Sequence, residues 1–140
     1  MNRVLDRLWL GSTKDVLAGS TLRAMGFTAV LDLRDRVHPG AGVDNLLQLK
    51  RLSNLDGAPW SKQEINDALD FIHKHIQNGR VLVVCVAGMS RSASLVIGYL
   101  TRCGWDIPTA FETVREIRPT ISPSPGMLES VLIVSVKQAN

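Results

Sequence analysis

Cys85 and Arg91 are separated by five residues, Val86-Ala87-Gly88-Met89-Ser90, and Ser92 follows the arginine. The run Val81-Leu82-Val83-Val84 leading to the cysteine predicts a strand buried on both faces. From Arg91 onward, Leu95, Val96, Tyr99, Leu100 and Cys103 share one helical face, with Gly104 as the stop. A thiol therefore ends a strand, and an arginine opens a helix. A loop in that setting aims free backbone N–H groups at one point and adds the dipole of the helix. The small Ala87 and Gly88 let such a loop curl into an anion-binding nest. The backbone of Val86, Ala87, Gly88, Met89, Ser90 and Arg91 is thus the candidate phosphate cradle. An unassisted thiol is only about 3% thiolate at pH 7, and the thiolate is the nucleophile, the form that an amide nest and a helix N-terminus favour. Arg91 adds a planar fork suited to two phosphate oxygens. Together these groups suit nucleophilic attack on a phosphate ester, with the amides and Arg91 stabilising the spread negative charge.

Other elements must place that loop. Leu8-Trp9-Leu10 and Ala29 to Leu33 read as short strands, with a helix from Ser20 to Met25 between them, closed by Gly26. His38 to Gly42 reads as a loop and Leu49 to Leu52 as a further strand. Ser61-Lys62-Gln63-Glu64 is a capping box. Behind it Ile65, Ala68, Leu69, Ile72 and Ile76 form a 3.6-period stripe that stops at Asn78-Gly79. Asp106 caps a helix with Ala110, Phe111, Val114 and Ile117 inward, ended by Pro119. Ser124-Pro125 is an N-cap with a first-turn proline. The β-branched tail from Val131 to Val136 could read as strand, but that start signal favours a helix. Strands early, one buried strand in the middle and helices late predict one α/β layered domain over 1–140.

Composition excludes several classes. The chain has 140 residues, 45% of them hydrophobic, and 16 basic against 13 acidic side chains give a net charge of +3. That suits a small anionic ligand, but no Lys/Arg block marks a nucleic-acid tail. The longest apolar run, Val81 to Met89, is far too short to span a membrane, and Arg3, Asp6 and Arg7 interrupt the start where a signal peptide would be apolar. A cytoplasmic monomer, without nucleic-acid or membrane partners, is the expectation. The two cysteines build neither a disulfide framework nor a zinc site. No nucleotide-binding glycine loop is present, since Gly40-Ala41-Gly42 reaches Asn45 where such a loop needs glycine. His73 and His75, two apart on a helix, point about 200° from each other and make no metal pair. No metal or other cofactor is expected.

The segment from Cys85 to Ser92 resembles the signature loop of the protein tyrosine phosphatase superfamily, and the surrounding text is similar to its small, atypical dual-specificity phosphatases. Leu8-Trp9-Leu10-Gly11-Ser12, Gly26 to Leu31, Asp70-Phe71-Ile72, Arg80-Val81-Leu82-Val83, Ser92 to Ile97 and Arg118-Pro119-Thr120-Ile121 carry the likeness over nearly the whole chain. The resemblance implies a central, mostly parallel sheet with helices on both faces. It implies hydrolysis of phosphomonoesters on protein tyrosine, with serine and threonine as further substrates, through a cysteinyl-phosphate and without a metal. It also implies a general acid roughly thirty residues before the nucleophile, a place that Asp56 in Leu55-Asp56-Gly57 fills; Asp32 and Asp44 are less well placed. Ser92 matches the family hydroxyl that stabilises the leaving thiolate.

Two positions depart from the family. Val84 stands where histidine usually precedes the nucleophile, and Pro123-Ser124 replaces a frequent Pro-Asn. Val84 keeps open a phosphate-binding module with impaired turnover. A phosphatase of a non-protein ester also stays open, although the loop lacks the lysines that a multiply charged headgroup would favour. Other residues have plainer readings. Cys103 on its apolar stripe belongs in the core, His73 and His75 at solvated helix positions, and Trp9, Trp60 and Trp105 in packing, with Trp60 near enough to Asp56 to border a pocket.

Overall fold

The computed structural model describes residues 1–15, 19–34, 47–52, 59–85, 90–121 and 123–138, with the backbone but not the side chain of Ser90. Five strands, β1 (Asn2–Leu5), β2 (Leu8–Gly11), β3 (Phe27–Asp32), β4 (Gln48–Arg51) and β5 (Arg80–Val84), form one sheet in the order β1-β2-β5-β3-β4. β1 runs antiparallel to β2, and every other pairing is parallel. The expected, mostly parallel sheet is present, with β5 at its centre.

Among the described residues five α-helices accompany it, α1 (Gly19–Ala24), α2 (Lys62–Ile76), α3 (Ser90–Arg102), α4 (Ile107–Ile117) and α5 (Pro125–Gln138), with a short 3-10 turn at Thr13–Asp15. They divide unequally between the two faces. Alternation along β5 sends Val81 and Val83 into the core shared with α2, α3, α4 and α5, and Leu82 and Val84 into a smaller core with Leu22 of α1. All four valines and leucines of that run are fully buried, as a central strand requires.

Local signals set the helix ends. Glu64 N–H donates to Ser61 Oγ at 3.1 Å and Ser61 N–H donates to Glu64 Oε1 at 2.8 Å, so the capping box of α2 is closed. Gly26 and Gly104 take positive φ values of 91° and 101° after α1 and α3, a conformation that costs glycine nothing. The segment Val131 to Val136 is helical, as Ser124-Pro125 foretells: Leu128 N–H donates to the Ser124 carbonyl at 2.9 Å to start α5.

The structure departs from the sequence reading in three places. β1 was not expected, because Arg3 and Asp6 interrupt its apolar pattern; it is a half-exposed edge strand and needs little. Helix α3 is buried from Ser92 to Thr101 on all sides rather than along one stripe. Cys103 is exposed rather than in the core, because α3 ends at Arg102 and the thiol sits in the turn that Gly104 closes.

The close fit of α3 against α5 rests on Gly98. A Cβ there would stand 2.3 Å from Val131 Cγ1 and 2.8 Å from Ser135 Oγ. Ser135 is fully buried, and its hydroxyl donates back to the Val131 carbonyl at 2.7 Å. This packing pins α3, and with it the end that faces Cys85.

Candidate active site

Three parallel strands end side by side. The register pairs Gly11 of β2 and Asp32 of β3 with Val84 of β5. Leu33 N–H donates to the Val84 carbonyl at 2.8 Å, and Cys85 N–H donates to the Gly11 carbonyl at 3.3 Å. Cys85 is thereby held on both sides at the carboxyl edge of the sheet, where open α/β sheets bind their ligands.

Helix α3 begins five residues later. Its first turn carries Arg91, half-buried, and Ser92, fully buried. The Sγ of Cys85 and the Oγ of Ser92 lie 3.0 Å apart. The thiol, the hydroxyl and the amide-rich start of a 13-residue helix thus converge, an arrangement that suits a bound anion. Among the expected site residues, the structure brings Cys85 and Ser92 together, and Arg91 stands beside Ser92 in the first turn of α3. Val86, Ala87, Gly88 and Met89, the Ser90 side chain and Asp56 lie outside the described residues, as do His38 to Gly42, Asn45 and Asp44.

Asp32 is not available as an acid. Arg34 Nε and its own backbone N–H donate to Asp32 Oδ1 at 2.9 and 3.0 Å, and Arg34 NH2 donates to Oδ2 at 2.8 Å. Both side chains are almost wholly buried. This ion pair, at the strand end next to Cys85, was missed in the sequence, where Asp-x-Arg is too common to signal it. The hydrogen bond from Arg34 to Asp32 holds the guanidinium above its usual range.

Trp60 is buried, and Trp9 packs edge-on against Phe27 with centroids 5.5 Å apart under the Arg80 guanidinium. His73 is exposed, as expected, with Nδ1 3.2 Å from the Tyr99 hydroxyl, while His75 is half-buried with its ring against Phe71. Among the described residues no group of three His, Cys, Asp or Glu side chains could hold a metal.

The dual specificity phosphatase catalytic-domain family matches residues 8–136. The chain belongs to this family. Human dual specificity protein phosphatase 16 is 33% identical over 144 residues, an alignment that covers 99% of this chain and 21% of that protein. Dual specificity protein phosphatase 22-A of Danio rerio is 28% identical over 148 residues, covering 100% of this chain and 67% of that one. The chain therefore spans about a fifth of the first relative and two thirds of the second. In three dimensions human DUSP28 superposes with a TM-score of 0.83 and 25% identity over 96% of this chain and 95% of that chain. The human tyrosine phosphatase-like serine/threonine/tyrosine-interacting protein reaches 0.85 at 25% identity over 100% and 98%.

The dual specificity phosphatase fold accounts for the expected sheet and for helices on both faces. No described helix of this phosphatase domain is long and apolar enough to cross a membrane.

Proposed function

We propose that this chain hydrolyses phosphomonoesters on protein tyrosine, and on threonine and serine more slowly, through a phosphate carried on Cys85. The observation that carries the reading is the meeting of Cys85 with Ser92 at 3.0 Å, at the helix start that also holds Arg91. In the first step the Cys85 thiolate attacks phosphorus and an S–P bond forms. The P–O bond to the side chain breaks, and Asp56 gives its proton to the leaving oxygen. In the second step Asp56 takes a proton from water, the oxygen attacks phosphorus, and the S–P bond breaks. Ser92 donates to the departing sulfur, while Arg91 and the amides of residues 86–91 hold the equatorial oxygens throughout.

The chemistry needs no cofactor, and it suits a reducing compartment such as the cytoplasm, where a free thiol persists. An aryl phosphate gains apolar contact that a multiply charged headgroup would not, so phosphotyrosine is the favoured substrate. The test is phosphate release from p-nitrophenyl phosphate, from phosphotyrosine and phosphothreonine peptides, and from a phosphoinositide in parallel. Turnover of the aryl ester and peptides, lost in Cys85→Ser, supports the reading. Preference for the phosphoinositide would redirect it, and binding without turnover would leave a phosphate reader.

A further inference from the structure

Helix α5 is apolar on two sides, and the core covers one of them. Met127, Val131, Val134 and Ser135 face inward. The outward side carries Ile133 and Val136, each 48% exposed, flanked by Leu128 and Leu132, which are half-buried against the edge of the core. Together with Ile107 at the start of α4, this side lines an open groove of about 580 Å³. A helix that is hydrophobic all round is ordinarily buried all round. A contiguous exposed apolar patch marks an interaction surface.

The charges on the same side identify the occupant. Glu129, Ile133 and Lys137 stand four residues apart and form one ridge of the helix. Among the described residues neither Glu129 nor Lys137 has an ion-pair partner. Two copies of α5, crossed antiparallel about a two-fold axis at Ile133, set Glu129 of each against Lys137 of the other. Two opposite-charge pairs then flank an apolar centre. A parallel crossing would oppose Glu129 to Glu129 and Lys137 to Lys137. Self-complementarity of one patch is what a two-fold interface requires.

We propose that this side of α5 is a homodimer interface, centred on Ile133 and registered by reciprocal Glu129–Lys137 pairs. It includes none of the residues assigned to phosphoryl transfer and stands independently of that reading. It also revises the monomer expected from the sequence.

Sedimentation velocity of the whole chain over about 1–200 μM tests it. The wild type should show reversible dimerisation with Kd near or below about 100 μM, and Ile133→Asp should weaken it at least about tenfold. Glu129→Lys or Lys137→Glu alone turns two attractive pairs into two repulsive ones and should raise Kd about tenfold, while the double exchange returns it to within about threefold of wild type. All three substitutions fall on exposed side chains, so circular dichroism and turnover per chain should match wild type. A wild type that stays single at about 200 μM overturns the proposal. So does a dimer indifferent to Ile133→Asp, or a double exchange that binds no better than the single ones.

Discussion

The sulfur of Cys85 lies 3.0 Å from the hydroxyl oxygen of Ser92, across the space between the end of β5 and the first turn of α3. Both residues are buried, so this contact is shielded from water. A hydroxyl there is best used when sulfur leaves phosphorus as an anion. Ser92→Ala should therefore slow the second step more than the first. A hydrogen bond to a charged group is worth about 1.5–3 kcal/mol, or about 10- to 100-fold in rate. Stopped-flow traces with p-nitrophenyl phosphate should show a burst of p-nitrophenol in Ser92→Ala, followed by slow turnover. Equal slowing of burst and turnover would make Ser92 a packing residue. Cys85→Ser should show neither phase, and Arg91→Lys should lose most of both, since an ammonium cannot reproduce the bidentate fork.

The assignment of Asp56 rests on its position in the chain and is tested by leaving-group dependence. Asp56→Asn should lower turnover of alkyl phosphates about 10²–10⁴-fold, the span of general acid catalysis. Esters whose leaving group needs no proton should lose much less. Equal losses on both kinds of ester would make Asp56 structural and return the search to another carboxylate. Asp32 would not qualify, because Arg34 occupies both of its oxygens.

Much of this site could be read from residue order because its parts are local. A strand end, a small-residue loop and a helix start are adjacent in sequence, so Cys85, Arg91 and Ser92 announce one another. The ends of α2 and α5 were equally legible, since Ser61 with Glu64 and Ser124 with Pro125 act within one turn. What was hidden depends on distant contacts. The burial of Ser92, Ser94 and Thr101 follows from helices that surround α3, which a one-face stripe does not reveal. Cys103 kept the helical period yet fell one residue beyond the helix. The Asp32–Arg34 pair became recognisable only when the end of β3 was seen next to that of β5.

The packing of α3 against α5 gives a stability prediction. Gly98→Ala puts a methyl group 2.3 Å from Val131 Cγ1, a distance that forces the helices apart. Overpacking of this kind costs about 1–3 kcal/mol, to be read as a lower urea midpoint with an unchanged slope. Because α3 also carries Arg91 and Ser92, turnover should fall at temperatures well below the unfolding midpoint. Gly98→Ala combined with Val131→Ala removes the tighter of the two clashes and leaves the 2.8 Å approach to Ser135 Oγ, so it should recover turnover more fully than stability.

His75 supplies a small pH dependence. Burial, with the Lys74 charge as a second cause, holds it below the usual imidazole range. Between the folded value and about 6.5 the unfolded chain binds the extra proton and the folded chain does not, so stability rises with pH there. The contribution is fully present above about 6.5 and is lost as the pH falls through the folded value. His75→Gln should flatten the dependence of the urea midpoint on pH in that window. An unchanged slope would assign the dependence to another group.

Val84 stands where the family usually has histidine, and its surroundings decide what a histidine would do here. The Val84 side chain is fully buried in the smaller core with Leu22, Phe27, Val30, Leu47 and Leu82. Its neighbour across the strand pair is Asp32, whose oxygens already receive the donors of Arg34. An imidazole at this point would meet apolar side chains and a carboxylate that is already engaged. Burying a polar group without a partner costs about 1–3 kcal/mol by mutational measures. Val84→His should therefore lower the unfolding free energy by that amount, read as a lower urea midpoint, and leave turnover at pH 6 within about twofold of wild type. Val84→His combined with Arg34→Met frees Asp32 to accept from the ring, and this double variant should regain stability relative to Val84→His. The coupling, measured as a double-mutant cycle, should be favourable by at least about 0.5 kcal/mol. A single Val84→His variant that is as stable as wild type and faster at pH 6 would mean that the ring reaches a partner on its own.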